Sequence, residues 1–355
     1  MIYVGGLPFP ANDSSSSYEG GQILNALLEH PVLVSASCSF NLIPERKFSA
    51  SEDSGSEGLM ECRWVYIFQR EYATVDPARV DLVGTDEATT CVGLVIRDRK
   101  SGLTSVAHLD SPDVVEGGLI QMLSLFVDLS PDCLLDVHLI GGFDDSSQQP
   151  KSRVWRKRMK YEGYSFPLCD KIVETLEKSN RKFEIQTLHI LGNNTRQDSE
   201  GNAYPIFSGF VVEPSTGSIF PANFDRTSRC PDEVVRRIRV TAAYEDPNWN
   251  CRLLDTYDPQ TDQFLIAPCK WSLRQREIAM MLKNHSDTEI LLTCSTSPSA
   301  EGPDFVENER RKWAYLIQHP HWRETFPLKQ PRVFQRTAAA TWRRLPIEND
   351  NCQVR

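Results

Sequence analysis

Cys91 ends the polar turn Thr85-Asp-Glu-Ala-Thr-Thr-Cys91 where a β-branched run begins, and His108 follows 108 − 91 = 17 residues later. That separation suits one strand out, a short turn and one strand back, so the two side chains can meet. A thiol beside an imidazole is the minimum equipment for nucleophilic acyl transfer, because the thiolate is the reactive form and a base supplies it. The competing readings are a buried structural thiol and a core histidine with its hydrogen bonds satisfied, both common fates for these residues.

The elements around the pair follow from pattern. Cys91 to Ile96 and Leu103 to His108 read as strands joined around Arg99-Lys-Ser-Gly102, where Gly102 can take a positive φ. Gly118 to Val127 carries a helical apolar face, and Leu134-Leu-Asp-Val-His-Leu-Ile-Gly-Gly-Phe143 reads as a strand entering a Gly-Gly turn. Further strands are expected at Trp64–Phe68, Phe183–Leu191 and Ile206–Val212, with a short one at Ser218–Phe220 and a buried one at Glu289–Cys294. Helices are expected at Gln22–Pro31, Lys171–Lys178 and from Phe305 to about Gln318. Such irregular alternation predicts an α+β fold, helices against mostly antiparallel sheets, rather than a βαβ repeat.

No linker divides the chain, so one elaborated domain is expected over residues 1–329, followed by a polar, loosely held tail at 330–355. Ser/Gly/acidic stretches near 12–21 and 49–58 have the composition of mobile loops, and 226–250 reads as a peripheral insertion. His138 precedes the Gly-Gly turn and faces either the site or a second layer. Gly141-Gly142 is expected to let backbone pass close to the active-site strands.

Composition narrows the function. A net charge of −9 argues against nucleic-acid binding, where a basic surface is the usual footprint. The basic stretch Lys151–Lys160 reads as a solvated face. No segment has the apolar length of a membrane span, and Met1-Ile-Tyr-Val-Gly-Gly lacks a secretory pattern. The ten cysteines are scattered without a C-x-x-C pair, which removes zinc-finger and thioredoxin readings and suggests reduced thiols in cytoplasm or nucleus.

Several ordered blocks carry a resemblance. Thr85 to Cys91, Ala107-His108-Leu-Asp110, Val137-His-Leu-Ile-Gly-Gly-Phe-Asp-Asp145, Ser295-Thr-Ser-Pro-Ser-Ala-Glu301 and Phe305-Val-Glu307 resemble the N-terminal asparagine amidohydrolase family. The likeness runs with gaps to about Pro320. Members of that family convert an N-terminal Asn of a protein to Asp, an early step of the N-degron pathway. The core is also similar to the chemotaxis receptor deamidases and cytotoxic necrotizing factor toxins, in which a Cys–His pair sits on a β-sandwich flanked by helices. The chemotaxis enzymes place a Thr six residues before the Cys, and 91 − 85 = 6 puts Thr85 there.

The resemblance implies Cys91 as nucleophile, His108 as general base and acid, and Thr85 as the group orienting the histidine. It implies chemistry that needs no metal and no redox cofactor. Substrates would be proteins or peptides with a free N-terminal Asn, with arginyl-transfer and ubiquitin-ligase machinery downstream and no nucleic-acid or membrane partner. Reading the free α-ammonium calls for a partly desolvated carboxylate. Asp86, Asp110 and Glu301 lie in the matched blocks and are the candidates. Two other readings remain open: a thiol hydrolase acting on internal residues, and a catalytically inactive degron-binding module.

Overall fold

A computed structural model describes residues 1–9, 21–49, 62–126, 129–146 and 163–346. Two sheets lie at its centre. The larger has eight strands in the order Leu254–Asp255, Glu71–Val75, Thr104–Leu109, Val92–Asp98, Leu134–Phe143, Lys182–Leu191, Ile2–Val4 and Leu7–Pro8. The second has five, in the order Arg46–Phe48, Ser218–Phe224, Phe210–Glu213, Leu82–Thr85 and Trp64–Tyr66. Across the described residues ten of the fifteen strand pairings are antiparallel, in keeping with the expected α+β class.

Side-chain alternation along the strands sorts the layers. Val92, Leu94 and Ile96, with Val137 and Leu139, meet Leu24, Leu33, Leu119, Met122, Leu168 and Ile172 from four helices on one face of the large sheet. On the opposite face Val95, Val106 and Ile140 pack against Val65, Val83, Phe210 and Val212, several of them on the second sheet. The order is therefore helices, sheet, sheet. A Cβ at Gly93 would lie 2.1 Å from the Phe210 ring, so glycine there lets that ring close onto the large sheet. Gly93→Ala would force the two sheets apart at that contact.

The hairpin strands form at Val92–Asp98 and Thr104–Leu109, and Leu134–Phe143 and Phe305–Gln318 have the expected bounds. Pro31 ends one helix, Gln22–Leu28, and opens another, Pro31–Asn41. Together these two have the length and composition of a bent span, but Leu24, Leu27, Leu33 and Phe40 are buried in the protein core. No single helix among the described residues is long and apolar enough to cross a membrane.

Three expectations are corrected. Glu289–Cys294, read as a strand, belongs to the helix Asp287–Cys294, which a capping box starts: Glu289 N–H donates to the Ser286 hydroxyl, and Ser286 N–H to the Glu289 carboxylate. The 226–250 segment is not peripheral. It contributes the helix Glu233–Ala243, whose Arg236 is fully buried and donates to the Glu71 carboxylate and the Tyr66 carbonyl, each at 2.6 Å. The tail is woven in as far as residue 346. Arg332–Arg336 pairs with Gln263–Ile266 and Trp342–Arg344, and Phe334 joins the core between the sheets. The predicted loops near 12–21 and 49–58, Gly21 and Ser49 aside, lie outside the described residues, as does Lys151–Lys160.

Candidate active site

His108 lies in the large sheet opposite Gly93, and strand alternation turns its ring into the gap between the sheets. Thr85 ends the facing strand Leu82–Thr85, and its Oγ1 sits 2.7 Å from His108 Nδ1. The Thr85 hydroxyl also donates to the Asp86 carbonyl at 3.4 Å, which leaves it as acceptor for an Nδ1–H. That tautomer exposes a lone pair on Nε2. The Nε2 atom is buried and has no hydrogen-bond partner among the described residues. Burial pushes the imidazole down to about 4 against the opposing charge of Glu87, so the ring is neutral at physiological pH.

Cys91 precedes Val92, which pairs with Leu109, so its side chain shares the Gly93 face with His108. Its carbonyl accepts from Gly142 N–H at 2.7 Å, and Phe143 N–H donates to the Thr89 carbonyl at 3.1 Å. A Cβ on Gly141, whose φ is +117°, would stand 2.6 Å from the Cys91 oxygen. Gly141 and Gly142, which continue the strand to Phe143 rather than forming the expected turn, thus let backbone clamp the cysteine turn. A second clamp comes from far along the chain: Ser297 donates to Thr89 at 2.9 Å, and Thr90 and Thr296 share a hydrogen bond of 3.0 Å. Burial first, then the charges of Asp110 and Glu301, push the Cys91 thiol well above its usual value.

The three candidate acids have different surroundings. Asp86 is 1% exposed and closed in by donors: Tyr66 and Arg229 to Oδ1, Phe224 N–H and Arg229 to Oδ2. Asp110 has a fully buried side chain whose Oδ2 takes the Tyr244 hydroxyl and lies 3.6 Å from Arg70. Its Oδ1 is buried without a partner among the described residues. Burial raises this carboxyl and Arg70 opposes the rise. Glu301 is half-buried, bonded by the Ser295 hydroxyl, and pushed up to about 7 by burial.

Some residues around the site were not legible in the sequence. Glu87, at φ +61°, pairs with Arg229 at 2.8 Å and Arg237 at 2.9 Å. Burial would raise its carboxyl, but Arg237 and Arg229 outweigh it and hold it down to about 2. Tyr244 caps the helix Glu233–Ala243 and brings a phenol beside Asp110, with Gln69 donating to it at 3.0 Å. His138, by contrast, bonds Thr187 at 3.0 Å, opposite Val95 and two register pairs beyond the His108 level. A cavity of about 500 Å³, lined among others by Glu87, Thr89, Arg229, Glu301 and Asn308, opens beside the cysteine turn. Neither Cys91 nor His108 lines it. Among the described residues no group of three or more His, Cys, Asp or Glu is placed to hold a metal ion.

Known proteins share this arrangement of sequence. Residues 54–344 match the family model described as protein N-terminal asparagine amidohydrolase. A relative of that name from Arabidopsis thaliana is 55% identical over 348 residues, covering 97% of this chain and 100% of the relative. Relatives of the same name from Mus musculus and Homo sapiens are 29% and 28% identical over 296 residues, covering 82% of this chain and 85% of each relative.

Proposed function

Because the chain belongs to the protein N-terminal asparagine amidohydrolase family, we propose that it hydrolyses the side-chain amide of an N-terminal asparagine to give aspartate, with Cys91 as nucleophile. The observation that supports this most is the oriented histidine: Thr85 fixes Nδ1, and Nε2 has no partner among the described residues, on the face that also carries Cys91.

The steps follow from that geometry. Neutral His108 takes the thiol proton on Nε2, and the sulfur attacks the amide carbon of the substrate side chain. Backbone N–H groups of the turn before Cys91 stabilise the oxyanion. The imidazolium then returns its proton to the leaving nitrogen, ammonia departs and a thioester remains. Water, deprotonated by the same Nε2, hydrolyses the thioester, releasing the aspartate side chain and restoring the thiol. These steps consume only water and use no redox or metal centre.

For recognition of the α-ammonium, Asp110 and Glu301 are the better-placed acids, since the oxygens of Asp86 are already engaged. Rejecting glutamine, longer by one methylene, needs attack geometry as well as binding, because a methylene alone gives about 10–200-fold. The product, a protein with N-terminal Asp, would pass to arginyl transfer and ubiquitin ligation in the cytoplasm or nucleus.

Mass spectrometry of three peptides tests the reaction. A free Asn-initiated peptide should be converted to its Asp form, while the N-acetylated Asn and Gln-initiated peptides should persist. Equal conversion of the acetylated peptide would point instead to a hydrolase of internal residues. No conversion of any peptide by folded, reduced protein would leave a binding module.

A further inference from the structure

The charges around Cys91 have the wrong sign for a resting thiolate. Asp110 follows the strand opposite Cys91, and Glu301 closes the arm that Thr89 and Thr90 hold over the cysteine turn. Both act on the thiol as negative charges. The other groups facing it do not offset them. Tyr244 brings a phenol that donates to Asp110, His108 is neutral, and Arg70 lies against Asp110 Oδ2, on the far oxygen from the unpartnered Oδ1. Glu87 is matched by its own arginines. Among the described residues, a buried carboxylate oxygen without a hydrogen-bond donor stands beside a thiol without a cation, an arrangement that lacks one positive charge.

We infer that the substrate's own α-ammonium switches the nucleophile on: seated against Asp110 Oδ1 and Glu301, it supplies the positive charge that lets the Cys91 proton pass to His108. This rests on the deamidation reading above and adds a cause for its specificity. The ammonium stays intact and covalently uninvolved. Only the thiol proton moves, from Sγ to Nε2, as the S–C bond to the side-chain carbonyl forms. A blocked N-terminus then fails twice, in binding and in chemistry, and the empty enzyme keeps an inert thiol that resists stray alkylation or oxidation.

Two readouts test this. The first is steady-state turnover of a peptide whose α-amino group is replaced by hydroxyl, with the asparagine side-chain amide kept. Its kcat should fall by about tenfold or more, the effect of at least one unit in thiol pKa, in addition to any rise in KM. The second is the rate at which iodoacetamide alkylates Cys91 in ligand-free protein, followed on the Cys91 peptide by mass spectrometry. Asp110→Asn and Glu301→Gln should each alkylate faster at about pH 8, by about tenfold for each unit the thiol drops, while turning over the free Asn peptide more slowly. Opposite signs in one variant are not expected from loosened packing alone, and Glu301, being half-buried, provides a variant less dependent on the core. An unchanged kcat for the hydroxyl peptide, or alkylation no faster in both folded variants, would overturn the inference. Failure of the wild type to convert the free Asn peptide would instead remove the deamidation reading beneath it.

Discussion

Asp86 and Asp110 stand on either side of the cysteine–histidine pair, one following a strand of the second sheet and one following a strand of the large sheet. Both are buried and each faces an arginine. Around Asp86 every nearby donor is used, and Arg229 continues on to Glu87 and Asp304, so the acid joins an ion network that fastens the cysteine turn to the C-terminal helices. Around Asp110 one oxygen has no partner among the described residues. A buried polar atom without a partner costs stability, about 1–3 kcal/mol for an ordinary group. An acid that tolerates such a deficit is better suited to receive a ligand than one whose bonds are complete. Matched sequence blocks contain both residues; only the count of donors separates them.

Substitutions should sharpen that difference. The largest effect is expected at Asp86: alanine there leaves Arg229 partly unpaired and two further donors without acceptors, and should lower unfolding stability by about 3–5 kcal/mol in urea titrations. Stability within about 1 kcal/mol of wild type would show the network to be ornamental. Asp110→Asn should leave the urea midpoint nearly unchanged and reduce kcat/KM for a free Asn peptide by about 10–100-fold, the worth of one charge-assisted hydrogen bond. Equal effects on folding and turnover would erase the contrast.

Smaller changes probe the supports of each side. Thr85→Val removes the acceptor for Nδ1–H and should cost about tenfold in kcat, about 1.4 kcal/mol, whereas Thr85→Ser keeps the hydroxyl and should stay close to wild type. Loss of the same size in both would place the role of Thr85 in its methyl group. The mildest effect is a moved pH limb. Glu301, raised to about 7, loses its negative charge as pH falls through that value, so attraction for the α-ammonium weakens and kcat/KM declines on the acid side. On the alkaline side the substrate amine itself deprotonates near about 8. Glu301→Gln should remove the inflection near 7 and keep the alkaline one; an unmoved acid limb would assign it elsewhere.

The proposed cysteine–histidine pair was legible in the sequence because its geometry is local. A 17-residue return between neighbouring antiparallel strands brings Gly93 opposite His108, and the alternation of β-branched residues shows it. Gly141-Gly142 was equally readable, since a Gly pair at a strand end marks close backbone passage. The supports were hidden because they arrive from a distance. Arg229 reaches Asp86 across 143 positions, and Tyr244 reaches Asp110 across 134. Residues 226–250 read as peripheral because they mix charges, Pro and aromatics without a clear period, yet some of those charges are the buried partners of acids elsewhere, as Arg236 is of Glu71. Charge reads as solvent exposure until its counter-charge is known. The helix at Asp287–Cys294 was missed for a local reason: Ile290-Leu-Leu looks like a buried strand, while the deciding signal, Ser286 with Glu289, lies just before it.

The central claim is that Cys91 carries the acyl group, and acid quenching during turnover tests it most directly. Enzyme stopped while converting a free Asn-initiated peptide, then digested and sequenced by mass spectrometry, should carry the substrate peptide less ammonia on Cys91. The adduct should be absent from Cys91→Ala, which should also lose turnover. An adduct on another residue, or sustained deamidation by folded Cys91→Ala, would contradict the account.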